Sequence, residues 1–184
     1  MLTIREAVST QDLQNILILQ RENMRGVLSP SEILEEGFIT VHHSLEQLEA
    51  MQALVPQILA EDGSTLAGYA LVMPRALKNS IPVLVPMFEL LDTLSYEGKA
   101  VSALRYYVMG QICVGRDYRG QGVFRQLYQA HRERLSKDFD YCITEVSSAN
   151  LRSMRAHLKI GFQLLHTFTD ELDEWNIVLW DWTK

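Results

Sequence analysis

Two cysteines in 184 residues are too few for a disulfide framework. Cys113 and Cys142 sit in the apolar stretches Gln-Ile-Cys-Val and Tyr-Cys-Ile-Thr, with no histidine at ligand spacing. They read as buried free thiols, and no metal site is expected. No apolar run approaches the ~18 residues that would span a bilayer. The start, Met-Leu-Thr-Ile-Arg-Glu-Ala, has no apolar leader segment. The expectation is a cytoplasmic chain without a membrane partner. Basic residues are in deficit: 17 Lys and Arg against 23 Asp and Glu give a formal net charge of -6. No global positive field is available to gather a nucleic-acid backbone, so no nucleic-acid partner is expected. Repeats and low-complexity tracts are also missing.

What is present is a chain with 47% hydrophobic and 22% charged residues, long enough for one self-sufficient core of ~100–200 residues. A single domain over 1–184 is expected. Leu2 to Ala7 reads as a strand, and Ser9 or Thr10 can cap a helix over about Gln11–Glu22. Ser44 caps a second helix, with Leu45, Leu48, Met51 and Leu54 at helical spacing, which Pro56 ends. Gln57–Ala60 and Leu66–Met73, joined through Asp62-Gly63, form a hairpin. Residues 74–100 are apolar and proline-bearing, which suits a lid, a pocket wall, an oligomer contact or an extra core helix. A strand over Leu104–Val114, a glycine turn and a helix over Gly122–Lys137 follow. A strand over Tyr141–Val146 leads to a helix over Asn150–Ile160, stopped by Gly161. Phe162–Phe168 and Trp175–Trp182 read as a closing hairpin. The order predicts an α/β fold with a mixed, mostly antiparallel central sheet flanked by helices. Whether the last strand also pairs across a homodimer is left open.

The chemistry concentrates at Arg119-Gly120-Gln121-Gly122-Val123-Phe124, where a strand turns into a helix. Glycines there let backbone amides left unpaired by the helix approach an anion beside the positive end of the helix dipole, and Arg119 adds a charged donor. No Gly-Lys-Ser/Thr follows, which excludes a nucleoside-triphosphate P-loop, and the three-glycine dinucleotide fingerprint is absent. On the next helix, Asn150, Ser153 and His157 share one side, because residues seven apart differ by only ~20° in angle. Leu151, Met154 and Leu158 form the flanking apolar face. Arg152, Arg155 and Lys159 fall on the far side, where solvated charge is expected. His42 and His43 are adjacent and would point to opposite faces of an extended segment, which does not suit a shared metal.

With these two motifs in this order the sequence resembles the GNAT superfamily of acyl-CoA-dependent N-acyltransferases. The pyrophosphate loop Arg/Gln-x-x-Gly-x-Gly/Ala of that family is matched from Arg119 to Phe124 except in the last place, where Phe124 stands. Its second motif, Asn followed seven residues later by Tyr and then by Gly-Phe, is matched by Asn150 and Gly161-Phe162, with His157 in the tyrosine position. The resemblance runs from Leu2 to Trp182 and is loose over 23–56 and 74–100.

The resemblance implies a GNAT-like fold and acetyl-CoA as co-substrate. It implies that backbone groups of Ile112, Cys113 and Val114 pair with the pantetheine arm. The amides from Arg119 through Gly120, Gln121, Gly122, Val123 and Phe124 would hold the pyrophosphate. Asn150 bonds the cofactor arm, with Ser153 beside it. The reaction implied is direct transfer of an acetyl group from acetyl-CoA to a primary amine. The 74–100 stretch, read as a pocket wall, favours a small acceptor, and acidic residues gathered at its mouth would suit a cationic one. His157 stands where the acid that protonates the departing thiolate is expected. An unperturbed imidazolium, with pKa ~6.5, is sparsely populated near neutrality, so raised basicity, a neutral donor role or a nearby Tyr118 or Tyr128 are the alternatives. No acidic residue lies between Ala100 and Arg116, which leaves Glu145 on the next strand as the candidate base and Glu36 as second. A CoA-binding module that has lost its chemistry is the alternative function.

Overall fold

The computed structural model describes residues 2–79 and 81–184. Ser80 and the Val83 side chain, both within the 74–100 stretch, lie outside the described residues. Strand β1 (Leu2–Glu6) leads into α1 (Thr10–Glu22), α2 (Pro30–Glu36) and α3 (Leu45–Leu54). The hairpin β2 (Ile58–Asp62) and β3 (Thr65–Met73) follows, then α4 (Val85–Leu91) and a small hairpin of β4 (Ser95–Tyr96) and β5 (Lys99–Ala100). The second half is β6 (Tyr106–Val114), α5 (Val123–Leu135), β7 (Tyr141–Ser147), α6 (Leu151–Ile160), β8 (Gln163–Thr169) and β9 (Glu174–Asp181).

Local chemistry explains the helix starts. Ser9, Ser29 and Ser44 each accept from a backbone amide three residues on, and Asp12, Glu32 and Gln47 return the bond to the cap residue, so α1, α2 and α3 all open with a capping box. Seven strands form one sheet in the order β1-β2-β3-β6-β7-β9-β8. Every neighbouring pair is antiparallel except β6 and β7, which is the mixed, mostly antiparallel sheet expected. The closing hairpin forms, but β9 inserts between β7 and β8 and is paired on both sides. Strand β8, not the last strand, is therefore the edge.

Helices cover both faces. On one, Leu13 and Ile16 of α1, Leu48 and Met51 of α3 and Met87 and Leu91 of α4 pack on Tyr69, Leu71, Ile143 and Ile177 of the sheet. On the other, Val123, Leu127 and Tyr128 of α5 pack on Ala70, Tyr107 and Val178. The 74–100 stretch thus contributes a core helix, and Leu84 and Met87 at its start also line the site described below.

Strands β6 and β7 are neighbours only from Tyr106–Tyr141 to Val108–Ile143. Beyond that point β6 continues along β3 and β7 continues along β9, so the two part in a V. The bend comes from a bulge: Met109 faces Val72 and Gln111 faces Leu71, leaving Gly110 as the extra residue. A Cβ at Gly110 would lie 3.1 Å from Met73 Cβ, so a side chain has little room at the bulge. Thr144 Oγ1 donates to Met109 O at 2.9 Å, satisfying a carbonyl left behind at the point of divergence.

Candidate active site

The V opens into a cleft of about 80 Å³ that reaches solvent. Beyond the lining of this cleft, where β6 turns into α5, lies a site made of backbone. Gly120 and Gly122 hold φ of 75° and 80°, a left-handed conformation that L side chains resist. They turn the chain from β6 into α5 so that the amides from Gly120 to Phe124 have no hydrogen-bond acceptor among the described residues. Nothing lies within 4 Å of a Cβ built on Gly120, and the nearest atom to one on Gly122 is Gln126 Nε2 at 4.0 Å. Open space, orphan donors and the positive end of a 13-residue helix together fit a pyrophosphate. Val123 is buried and Gln121 exposed. The Phe124 ring turns away from the loop and packs edge-on against Tyr128 and His157, each 5.1 Å between centroids, so it does not fill the cradle. Ile112 and Val114 on β6 are half-buried, and the Cys113 thiol is buried against Tyr69 on the opposite face, where desolvation pushes its pKa up to about 12. It is inert as a nucleophile.

Arg119 does not point at this cradle. Its guanidinium donates to Val114 O at 3.1 Å, to Asn23 Oδ1 at the end of α1 and to Glu36 at the end of α2. Arg116 pairs with Glu32 and Glu36, and Arg152 donates to Glu35 O at 2.9 Å. The loop arginine expected to meet phosphate, and one of the α6 cations expected to be free in solvent, are thus fastened to α2. Asn150 is similarly committed. It caps α6 by accepting from the Ser153 amide and donates Nδ2 to Phe38 O at 2.8 Å, which ties α6 to the loop after α2.

The polar stripe of α6 faces inward, and the flanking leucines do not. His157 is 2% exposed, whereas Leu151 and Leu158 are 55% and 49% exposed. His157 Nδ1 lies 2.8 Å from Ser153 O and therefore carries the proton of a neutral ring, donating to that carbonyl. Nε2 then accepts from the Tyr128 hydroxyl at 2.7 Å. Desolvation pulls the His157 pKa down to about 4. No neighbouring acid lifts it, and Tyr128 is fully buried with its pKa pushed well above the ordinary phenol value. In this arrangement His157 is an uncharged imidazole with both nitrogens engaged inside the protein, among the rings of Phe124, Tyr128 and Phe162. It has no spare proton to hand to the cleft. Tyr118 is half-buried at the loop.

Glu145 belongs to the cleft itself. On β7 it points to the same side as Ile143 and Ser147, toward α4 and the loop after α2, and it is half-buried in the cleft lining. Among the described residues no hydrogen bond or ion pair reaches its carboxyl. Desolvation, with a smaller push from the Asp170 charge, raises its pKa to about 7. An unpaired carboxyl that titrates near neutrality is poised to take a proton. Glu36, the second candidate, is occupied by Arg119 and Arg116.

Sequence reading missed two supports of this cleft. Helix α2 was signalled by Ser29-Pro30-x-Glu32, a capping box with proline at the first helical position. The other has no local signal. Gln111 Nε2 donates to Val41 O at 2.8 Å, while its Oε1 accepts from Tyr69 and from Gln20, each at 2.6 Å. Gln20 also bonds His43 at ring and backbone. This buried network pins the Phe38–His43 loop over β6.

The Acetyltransferase (GNAT) family model matches residues 22–162. No curated protein matches the chain by sequence. Among solved structures, it superposes on the ribosomal-protein-S18-alanine N-acetyltransferase of Escherichia coli with a TM-score of 0.65 at 15% identity, over 98% of this chain and 94% of that one. The yncA protein of Salmonella typhimurium with its cofactor acetyl-CoA gives 0.63 at 18% identity, over 98% and 94%. An N-acetyltransferase of Staphylococcus aureus gives 0.64 at 17% identity, over 99% of both chains.

Proposed function

The chain belongs to the acetyltransferase (GNAT) family, and from that premise we propose that it transfers an acetyl group from acetyl-CoA to a primary amine of a small acceptor by direct attack. The observation that carries this reading is an open amide cradle at Gly120–Phe124, joined through the Phe124–His157 ring contact to a cleft whose lining holds the unpaired carboxyl of Glu145. A structural neighbour that holds acetyl-CoA supports the choice of co-substrate.

When bound, the co-substrate supplies an acetyl thioester. The chain's residues do the rest. The amides of Gly120 to Phe124 take the pyrophosphate, the backbone of Ile112 to Val114 on the parted edge of β6 takes the pantetheine arm, and Ser153 lines the cleft beside Asn150. Asn150 and Arg119 act by holding α6, α2 and the loop in register. Glu145 takes the proton that an ammonium must lose before its lone pair can attack. Its pKa of about 7 leaves a large carboxylate fraction at neutral pH. His157 stays neutral and positions Tyr128 and Phe124. A coenzyme thiol with pKa near ~8.5 leaves as an anion at modest cost, so the reading does not require a protein acid.

The test is release of free thiol from acetyl-CoA over a panel of polyamines, amino acids, aminoglycosides, peptides and simple alkylamines. Amine-dependent release that Glu145→Gln abolishes supports the reading. Tight acetyl-CoA binding with no release on any amine would make the protein an acyl-CoA-binding module instead.

A further inference from the structure

The acceptor end of the cleft carries one carboxyl without a partner, set among largely apolar walls. Gln111, Thr144, Ser147, Asn150 and Ser153 also line the cleft, and all but the Ser153 hydroxyl spend their side chains on protein. Gln111 bonds Tyr69, Gln20 and Val41 O, and Thr144 bonds Met109 O. Ser147 bonds Asp173, Asn150 bonds Phe38 O, and Ser153 meets His157. Thr40 is exposed at the rim. The Trp175 indole N–H makes no hydrogen bond of normal geometry and lies beside the Asp170 carboxylate. The remaining wall is Phe38, Val41, Leu84, Met87, Val108 and the Trp175 ring. Against it stands the carboxyl of Glu145, with no cation to neutralise it.

The mouth adds little to this polarity. Arg25 pairs with Asp173 at 2.8 Å and stacks over the Phe38 ring at 4.8 Å, so that carboxylate is already neutralised. Asp170 accepts the amides of Leu172 and Asp173 in its own turn. The exposed carboxylates left there, Glu171 and Glu174, are solvated.

We propose that the acceptor is a primary monoamine with an apolar body, alkyl or arylalkyl, whose single nitrogen meets Glu145 while its hydrocarbon lies along Leu84, Met87, Phe38 and Trp175. This names the substrate class of the transferase reading and rests on it. One carboxyl balances one ammonium. The nearest other carboxylate, Asp170, is exposed and solvated, so a second ammonium on the same ligand would have to shed water against hydrocarbon with no buried counter-charge, which the apolar wall does not repay. Each methylene laid on that wall, by contrast, leaves water and adds affinity.

The experiment measures amine binding to the CoA complex by calorimetry, beside thiol release from acetyl-CoA. The probes are an alkylamine series from propylamine to hexylamine, phenethylamine, and hexamethylenediamine as the matched partner of hexylamine. The dissociation constant is expected to fall about fourfold per methylene, with hexylamine at least tenfold tighter than hexamethylenediamine and phenethylamine in the same range as hexylamine. Glu145→Gln should flatten the preference for amine over the matching alcohol while CoA still binds. A flat chain-length series, or a diamine that binds as tightly as the monoamine, overturns the proposal and would bring Glu171 and Glu174 into the acceptor site. Turnover of diamines alone would sink this proposal and leave the transferase reading standing. Monoamines that bind as predicted without releasing thiol would do the reverse.

Discussion

At the amide cradle, the binding groups are backbone N–H donors exposed by Gly120 and Gly122 over five consecutive residues. At the carboxyl end, the lining comes from the loop after α2, from α4, from β7 and from β9, and its unpaired carboxyl is a side chain. The first is a local conformation and the second is an assembly. A backbone cradle is set by which φ values the chain can reach, so it tolerates Phe124 once the ring finds Tyr128 and His157 to pack on. The assembled end depends on long-range ties, and the same arginine serves both, since Arg119 leaves the loop to hold Glu36 of α2.

The sharpest way to break the comparison is at Glu145. Glu145→Gln is expected to lower kcat/KM for amine acetylation by roughly a hundredfold or more at pH 7.5, with the dissociation constant for acetyl-CoA unchanged. In the wild type, kcat/KM should climb with pH through about 7 as the carboxyl loses its proton. At the cradle, Gly122→Val forces a β-branched residue into φ 80°. We expect acetyl-CoA affinity to fall by about tenfold or more, with the amine preference of residual turnover unaltered.

Stability gives a second contrast, because the interior holds groups shifted in opposite directions. Glu145 has its folded pKa raised from 4.5 to about 7, so the folded state binds the proton more tightly. Its contribution is complete below pH 4.5 and is lost as pH rises through 7. Glu145→Gln should therefore match wild type near pH 4.5 and exceed it at pH 8 by up to about 3 kcal/mol, read from denaturant midpoints. His157 and His43 are pulled down to about 4 and His131 to about 3, all by burial. Their folded pKa values lie below 6.5, so their contribution is present above that pH and is lost as pH falls through 4. Three such groups oppose one, and the wild-type melting temperature should drop on acidification below pH 6.5.

The smaller effects concern positioning. Arg119→Lys loses the forked contact to Glu36 and Asn23. A severalfold rise in KM for the amine is expected, larger than the change in acetyl-CoA affinity, because α2 and the Phe38 loop move before the amides do. His157→Gln is expected to change kcat by less than about fivefold, since a neutral ring with engaged nitrogens supplies no proton. A drop beyond a hundredfold with intact acetyl-CoA affinity would restore the acid role.

Much of this was legible in the residues. Ser9 and Ser44 marked helix starts, Asp62-Gly63 marked the hairpin, and Gly120 with Gly122 marked the cradle, each through short-range rules of capping and backbone freedom. Ser29-Pro30-x-Glu32 obeys the same rules at the start of α2. His157 could not be read correctly. Its place on the helix face was clear, but its protonation depends on Ser153 O and Tyr128 hydroxyl, the second of which comes from another helix. The same holds for Arg119, whose sequence neighbours suggest a phosphate and whose spatial neighbours are Asn23 and Glu36.

By itself, then, the sequence determined the order of elements, the glycine-exposed amides and the presence of one carboxylate on the strand after them, because each is a property of φ, capping or alternation over a few residues. The tertiary structure decided which charges remain free. Folding neutralised Arg119 against Glu36 and Arg25 against Asp173, and left Glu145 alone in a desolvated wall. Charge and proton affinity are set by distance and dielectric among residues far apart in the chain, and those are fixed only when the sheet parts at Val108 and the helices close over the gap.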